Sequence, residues 1–96
     1  MSITDAETWF INVFQPKANG LYEIKHINER DGDLGDVVGV QFDSESKGGY
    51  AYFWSNGYVS YQLSDYINDR DIVDDNTEKL LSSSLDEAFA SLLLNL

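Results

Sequence analysis

Residues 49–65 read GYAYFWSNGYVSYQLSD, two strand-like runs joined at Asn56-Gly57. Asn-Gly is the pair best suited to a two-residue type I′ hairpin, because both central positions need positive φ. Such a turn sets Ser55 opposite Tyr58, Trp54 opposite Val59, Tyr52 opposite Tyr61 and Tyr50 opposite Leu63. The last three pairs share one face and join aromatic to aliphatic or aromatic side chains, the favoured cross-strand combination. Ala51, Phe53, Ser60 and Gln62 fall on the other, more polar face. The expectation is that the aromatic face packs on helices and the polar face points outward.

Toward the N-terminus, residues 36–43 (DVVGVQFD) and 21–27 (LYEIKHI) read as two more strands. They are joined by a turn over 28–35 with Asp31-Gly32 at its tip, and 44–49 forms a loop before the hairpin. Thr4 and Glu7 have the spacing of a capping box, and Asp5 and Glu7 suit the positive end of a helix dipole. Ala6, Trp9, Phe10, Val13 and Phe14 then recur at helical spacing. This predicts a helix over 5–15, closed by Pro16 and Asn19-Gly20.

Beyond the hairpin, residues 67–78 (INDRDIVDDNTE) are densely acidic. They predict a loop with a short edge strand around 71–73, followed by an extended or turn-like stretch over 79–82. Ser84 and Glu87 make a second capping box. Leu85, Ala88, Phe89, Leu92, Leu93 and Leu96 line one helix face, while Ala90 and Leu94 lie off it. The expected architecture is a single α+β domain over residues 1–96. It has an antiparallel sheet of four strands, or five with the edge strand, and an N-terminal and a C-terminal helix on one face.

Composition limits the function. The chain has 96 residues, 43% of them hydrophobic, enough for one core. Seventeen acidic residues against six basic ones give a net charge of −11 and a pI near 4.1. That field repels nucleic acid and anionic membranes and attracts cationic surfaces. An aromatic content of 14% argues against an acidic disordered tail. Cysteine is absent, so there is no disulfide framework, thiolate metal site or thiol nucleophile, which fits a reducing compartment. Met1 is not followed by a basic and then apolar leader, and apolar runs fall far short of the roughly 18 residues of a membrane span. A soluble, cytoplasmic protein is expected.

Catalytic constellations are missing. His26 is the single histidine; catalysis would need a nucleophile and an orienting acid in reach, nothing in the local sequence suggests such a triad, and there is no Gly-x-Ser-x-Gly elbow. The acidic run from Asp69 is not a calcium loop: Asp74 occupies the position that needs glycine, and the twelfth place holds no glutamate. Gly32, Gly35 and Gly39 do not precede a helix and make no phosphate cradle. The reading is therefore no enzyme, no cofactor and no metal.

What remains is a carboxylate surface. Asp65, Asp69, Asp71, Asp74, Asp75 and Glu78 stand against one base, Arg70, and a second group, Glu29, Asp31, Asp33 and Asp36, against Arg30. One reading is a solvated face that keeps the protein soluble. The other is a patch that pairs with arginine and lysine of a partner, with Tyr66, Tyr58 and Phe53 on the outer sheet face as aromatic anchors.

The aromatic hairpin, the acidic stretch after it and the closing helix SLDEAF (84–89) resemble the small immunity proteins that bacteria make alongside secreted or contact-delivered toxins. The resemblance spans the chain in style and assigns no residue a role. It implies contact-dependent inhibition or polymorphic-toxin immunity: a heterodimer with a cognate basic toxin, such as a nuclease with a basic cleft. It involves no direct nucleic acid or membrane contact. Two alternatives use other logic. A phage-type nucleic-acid mimic would set the same acids at phosphate-like spacing to block a restriction or CRISPR enzyme. A non-enzymatic assembly subunit would self-associate through Ala90 and Leu94.

Overall fold

The first helix begins two residues earlier than its capping box suggests. In a computed structural model describing residues 1–32, 35–80 and 84–96, the Ser2 hydroxyl accepts from the Asp5 N–H at 3.1 Å. Ser2 is thus the N-cap, and Thr4 lies inside the first turn, where its carbonyl accepts from the Thr8 hydroxyl. α1 (Ile3–Trp9) runs into a π-helical segment (Phe10–Phe14) and on into α2 (Gln15–Ala18). Pro16 therefore does not end the helix. The Gln15 N–H bonds back five residues to the Phe10 carbonyl. This widens the turn just before the proline, whose ring would otherwise crowd a carbonyl and whose nitrogen cannot donate. The stop falls at Asn19, which is extended, and at Gly20, with φ +84°.

Five strands follow in a simple meander: β1 (Glu23–Gly32), β2 (Gly35–Asp43), β3 (Lys47–Trp54), β4 (Tyr58–Asp65) and β5 (Arg70–Lys79). All neighbours are antiparallel, in the order β1-β2-β3-β4-β5. The acidic stretch after β4 is thus mostly strand, far longer than the 71–73 piece expected. It pairs irregularly, with register breaks beside Leu63. Such bulges and charges are the usual protection of a sheet edge. Of the sequence-based expectations, those on Asp33, and on residues 81–82 within the 79–82 stretch, lie outside the described residues.

The hairpin register is the main correction. Phe53 faces Val59, Tyr52 faces Ser60, Ala51 faces Tyr61 and Tyr50 faces Gln62, one residue away from the expected pairing. The Gly57 N–H donates to the Trp54 carbonyl at 2.9 Å, and Gly57 has φ +92°. The loop is therefore the three residues Ser55-Asn56-Gly57, a β-turn closed by a left-handed glycine, and not a two-residue turn on Asn56-Gly57. A slip of one residue turns every side chain of β3 to the opposite face. Ala51 and Phe53 go into the core, while Tyr50, Tyr52 and Trp54 go outward.

The inner face reads Val38, Val40 and Phe42 on β2, Ala51 and Phe53 on β3, Val59 and Leu63 on β4, and Val73 on β5, all buried. The N-terminal helical run covers β2 and β3 with Ala6, Phe10, Phe14 and Ala18. The C-terminal run covers β4 and β5. It is capped by the Ser84 hydroxyl accepting from the Glu87 N–H, and comprises α3 (Leu85–Ala88) and α4 (Ala90–Asn95), broken at Phe89. Leu85, Phe89 and Leu92 are buried as their spacing predicts, and Leu94 is 86% exposed. Trp9 joins the two runs: its ring lies 5.4 Å from that of Phe89, and its Nε1 donates to Asp86 at 3.2 Å. No described helix is long and apolar enough to cross a membrane.

Candidate partner-binding surface

Both helical runs lie on one side, which leaves the opposite face of the sheet uncovered by helix. Register alone orders that face into rows. One row across the five strands is Glu23, Asp43, Gly48, Ser64 and Asp71. The next is Lys25, Gln41, Tyr50 and Gln62, and the third Ile27, Gly39, Tyr52, Ser60 and Thr77. Trp54 lies beyond them, opposite Val37.

Along central β3 the three rings make a continuous stripe. Tyr50 and Tyr52 stack at 4.9 Å, and Tyr52 meets Trp54 edge-on at 6.3 Å. All three are half-buried. Side-chain hydrogen bonds hold their surroundings in place. Gln41 donates to the Tyr52 hydroxyl at 2.8 Å, and Trp54 Nε1 to Ser60 Oγ at 3.3 Å. Tyr50 donates to Asp75. Asp71 accepts from Gln62 at 3.1 Å and from Ser64 at 2.8 Å. Tyr66 reaches back from the β4–β5 turn and donates to Asp43. Gly48 lies beneath it, where a Cβ would collide with both groups. Tyr66 thereby walls one side of a shallow depression floored by Gly48 and Gly49 and bordered by Asp43, Tyr50, Tyr52 and Ser64.

These contacts also shift two phenols. Partial burial, then the hydrogen bond to Asp75, pushes Tyr50 well above the ordinary tyrosine range. The bond to Asp43, with some burial, raises Tyr66. Both stay neutral donors at physiological pH.

The carboxylates singled out from the sequence do not form one patch. Asp71 and Asp75 stand on the outer face beside Tyr50 and Gln62. Asp65 is engaged in the β4–β5 turn, accepting from the Ile67 and Asn68 N–H groups at 3.0 and 3.2 Å and from the Asn68 amide at 2.7 Å. Those bonds, the Asn68 amide first, hold its carboxyl below the usual range. Asp69 sits at the turn with φ +51°, and Asp74 falls in a bulge of β5; both are exposed. Glu78 pairs with Val59 and so belongs to the helix side. Asp31 lies at the far end of β1, and its N–H donates to Asp36. Tyr58 is 36% exposed on the outer side and Tyr66 50%, as anchors would be. Phe53 is buried at 1% exposure, because the three-residue loop turned it inward, and cannot be an anchor. Tyr50, Tyr52, Trp54, Gln41 and Asp43 occupy the outer face instead, a placement the sequence pattern alone did not give them. The signal for them was present: Val38, Val40 and Phe42 demand small and apolar neighbours, which Ala51 and Phe53 supply and the tyrosines do not.

His26 is exposed and bonds Gln15 at 3.1 Å. Among the described residues, no three of His, Asp and Glu converge as a metal site would require. Comparison with protein-family models, curated proteins and solved structures gives no match to this chain.

Proposed function

We propose that the chain is a non-catalytic immunity protein that binds and neutralises a basic toxin through the outer face of its sheet. A nuclease with a cationic cleft is the best-suited toxin. The observation that carries this reading is the stripe of Tyr50, Tyr52 and Trp54 on an uncovered sheet face, framed by Asp43, Asp71 and Asp75. Tyrosine and tryptophan dominate binding hot spots because they bury large areas while losing few rotamers. Their π faces also accept arginine and lysine. The surrounding carboxylates are held by neighbouring hydroxyls and amides, so little ordering remains to be done on binding. A net charge of −11 steers a basic partner to the surface.

The test is affinity capture at low salt from the native cell, with the wild type beside a Tyr52→Ser/Trp54→Ser variant. The captured protein is then expressed alone and with each form. The reading requires a basic protein whose toxicity the wild type relieves and the variant does not. A captured protein without toxicity, or relief that survives the double substitution, sinks it.

A further inference from the structure

The two edges of the sheet are unlike. β5 is broken by bulges and carries Asp71, Asp74, Asp75 and Glu78. β1 pairs with β2 without interruption over residues 23–29, contains no proline, and leaves its other side unpaired. Its charges alternate in sign, Glu23, Lys25 and Glu29 falling on one face of the regular stretch. A long, regular edge is a template for another strand. On the helix side of β1 a groove opens, lined by Phe10, Ile11 and Val38 together with His26 and Asn28 of the strand, with Ile11 48% exposed.

We propose that β1 pairs antiparallel with β1 of a second copy, on a two-fold axis at Ile27, to make a continuous ten-stranded sheet. The charge pattern selects the partner and the register. With Ile27 opposite its own counterpart, Lys25 faces Glu29 of the other copy twice, on the outer side, with the isoleucines between them. Beyond Glu29 the strand leaves regular geometry, with Asp31 at φ +60°, so the paired stretch ends before Glu23 would meet Asp31. Shifting the axis to His26 sets Glu23 against Glu29, and shifting it to Asn28 carries the pairing past Glu29 onto Asp31, where the strand leaves regular geometry. A lysine on an edge normally blunts pairing, but in this register it meets an acid and supports pairing. Of the seventeen acids behind the net charge of −11, the four on β5 lie too far from the seam to oppose the union. In a ten-stranded sheet the two β5 edges lie about 43 Å apart at the usual strand spacing. That is several times the Debye length of about 8 Å at physiological ionic strength.

The experiment is sedimentation equilibrium of the full chain across the micromolar range at physiological ionic strength. The wild type is expected to dimerise. Lys25→Glu and Glu29→Lys each replace two attractions by two repulsions and should weaken the dimer about tenfold. Glu29→Lys is the sharper case, since it weakens the dimer while lowering the negative charge. An equimolar mixture of the two variants recreates both pairs and should restore dimerisation, as should the doubly exchanged chain. Circular dichroism checks that each surface variant folds. A wild type monomeric throughout, single variants that dimerise normally, or a mixture that fails to recover overturns the proposal. So does loss of the dimer on Leu94→Asp, which would place the contact on the C-terminal helices. None of these outcomes depends on the identity of a toxin.

Discussion

Tyr66 lies across Gly48 and gives its phenolic hydrogen to Asp43, tying the β4–β5 turn to β2 over the top of β3. The bond spans two strands that are not neighbours in the sheet, and it needs a residue without a side chain beneath it. Gly48→Ala should therefore push Tyr66 off Asp43 and lower stability by about 1–3 kcal/mol, the usual effect of overpacking. Tyr66→Phe loses the hydrogen bond alone and should cost about 1 kcal/mol. Urea denaturation of the two variants checks the order, and a smaller loss for Gly48→Ala would refute the packing account.

The division of the acids between faces makes a kinetic prediction for the proposed toxin complex. Asp69→Asn/Asp74→Asn removes exposed rim charge and should slow association and reduce its salt dependence, leaving dissociation nearly unchanged. Asp71→Asn/Asp75→Asn disturbs groups that hold Tyr50, Gln62 and Ser64, and should also speed dissociation. Stopped-flow and surface-binding kinetics separate the two effects. Equal dissociation rates for the two double variants would remove the outer face from the contact.

Acid should weaken the fold through two turn carboxylates. The Asp31 N–H and then the Arg30 guanidinium hold Asp36 below the ordinary carboxylate range, as the Asn68 amide does for Asp65. A depressed folded value means that the unfolded chain binds more protons in the window between the two values. The contribution is therefore complete above the unfolded value of about 3.9 and disappears as pH falls through the folded one. The urea midpoint should drop below about pH 4 in the wild type, and less steeply in Asp36→Asn/Asp65→Asn.

The alkaline side has the opposite sign. The folded value of Tyr50 is raised, so its contribution is complete below the unfolded value of about 10 and is lost as pH rises through the folded one. In an absorbance titration of phenolate, Tyr50→Phe should abolish the last part of the change. Asp75→Asn should bring that part to lower pH without returning it fully, since partial burial, the larger cause, remains. An unaltered titration curve in Asp75→Asn would contradict the Tyr50–Asp75 bond.

Gly57 holds the left-handed position of the β3–β4 loop at φ +92°. Gly57→Ala has open space around its Cβ but a strained backbone, and should cost about 1 kcal/mol or more. Asn56→Ala should cost less, because Asn56 does not adopt a positive φ. Thermal denaturation decides between this loop and a two-residue turn, which would need positive φ at both positions.

Much of the architecture is legible in local patterns. The runs at 36–43 and 58–65 are strands, and the 21–27 run is one from Glu23 but continues to Gly32, so the turn expected from residue 28 begins later. The helical stripes of Phe10, Phe14, Leu85, Phe89 and Leu92 are buried, and Ser84 caps the last helix as its spacing with Glu87 indicates. Local periodicity and caps are written in neighbouring residues, so short stretches suffice to read them. Two local readings failed for a shared reason. Pro16 is carried within the helix because a π turn widens ahead of it, and Asn56-Gly57 belongs to a three-residue loop because Phe53 is the better core residue. In both cases packing of large rings elsewhere outweighed a local preference worth about 1–3 kcal/mol.

The sequence by itself determined most of the element types, β5 being the main exception, together with the acid excess and the absence of cysteine chemistry, since these depend on composition and short-range spacing. Only the tertiary structure decided which face each ring of β3 occupies. That choice rests on one residue of register, set by how Val38, Val40, Phe42, Ala51 and Phe53 fill the space under the helices. The same register brings Glu23, Asp43 and Asp71 into one row and turns Tyr50, Tyr52 and Trp54 outward. The candidate surface is thus a consequence of core packing, assembled from residues far apart in the chain.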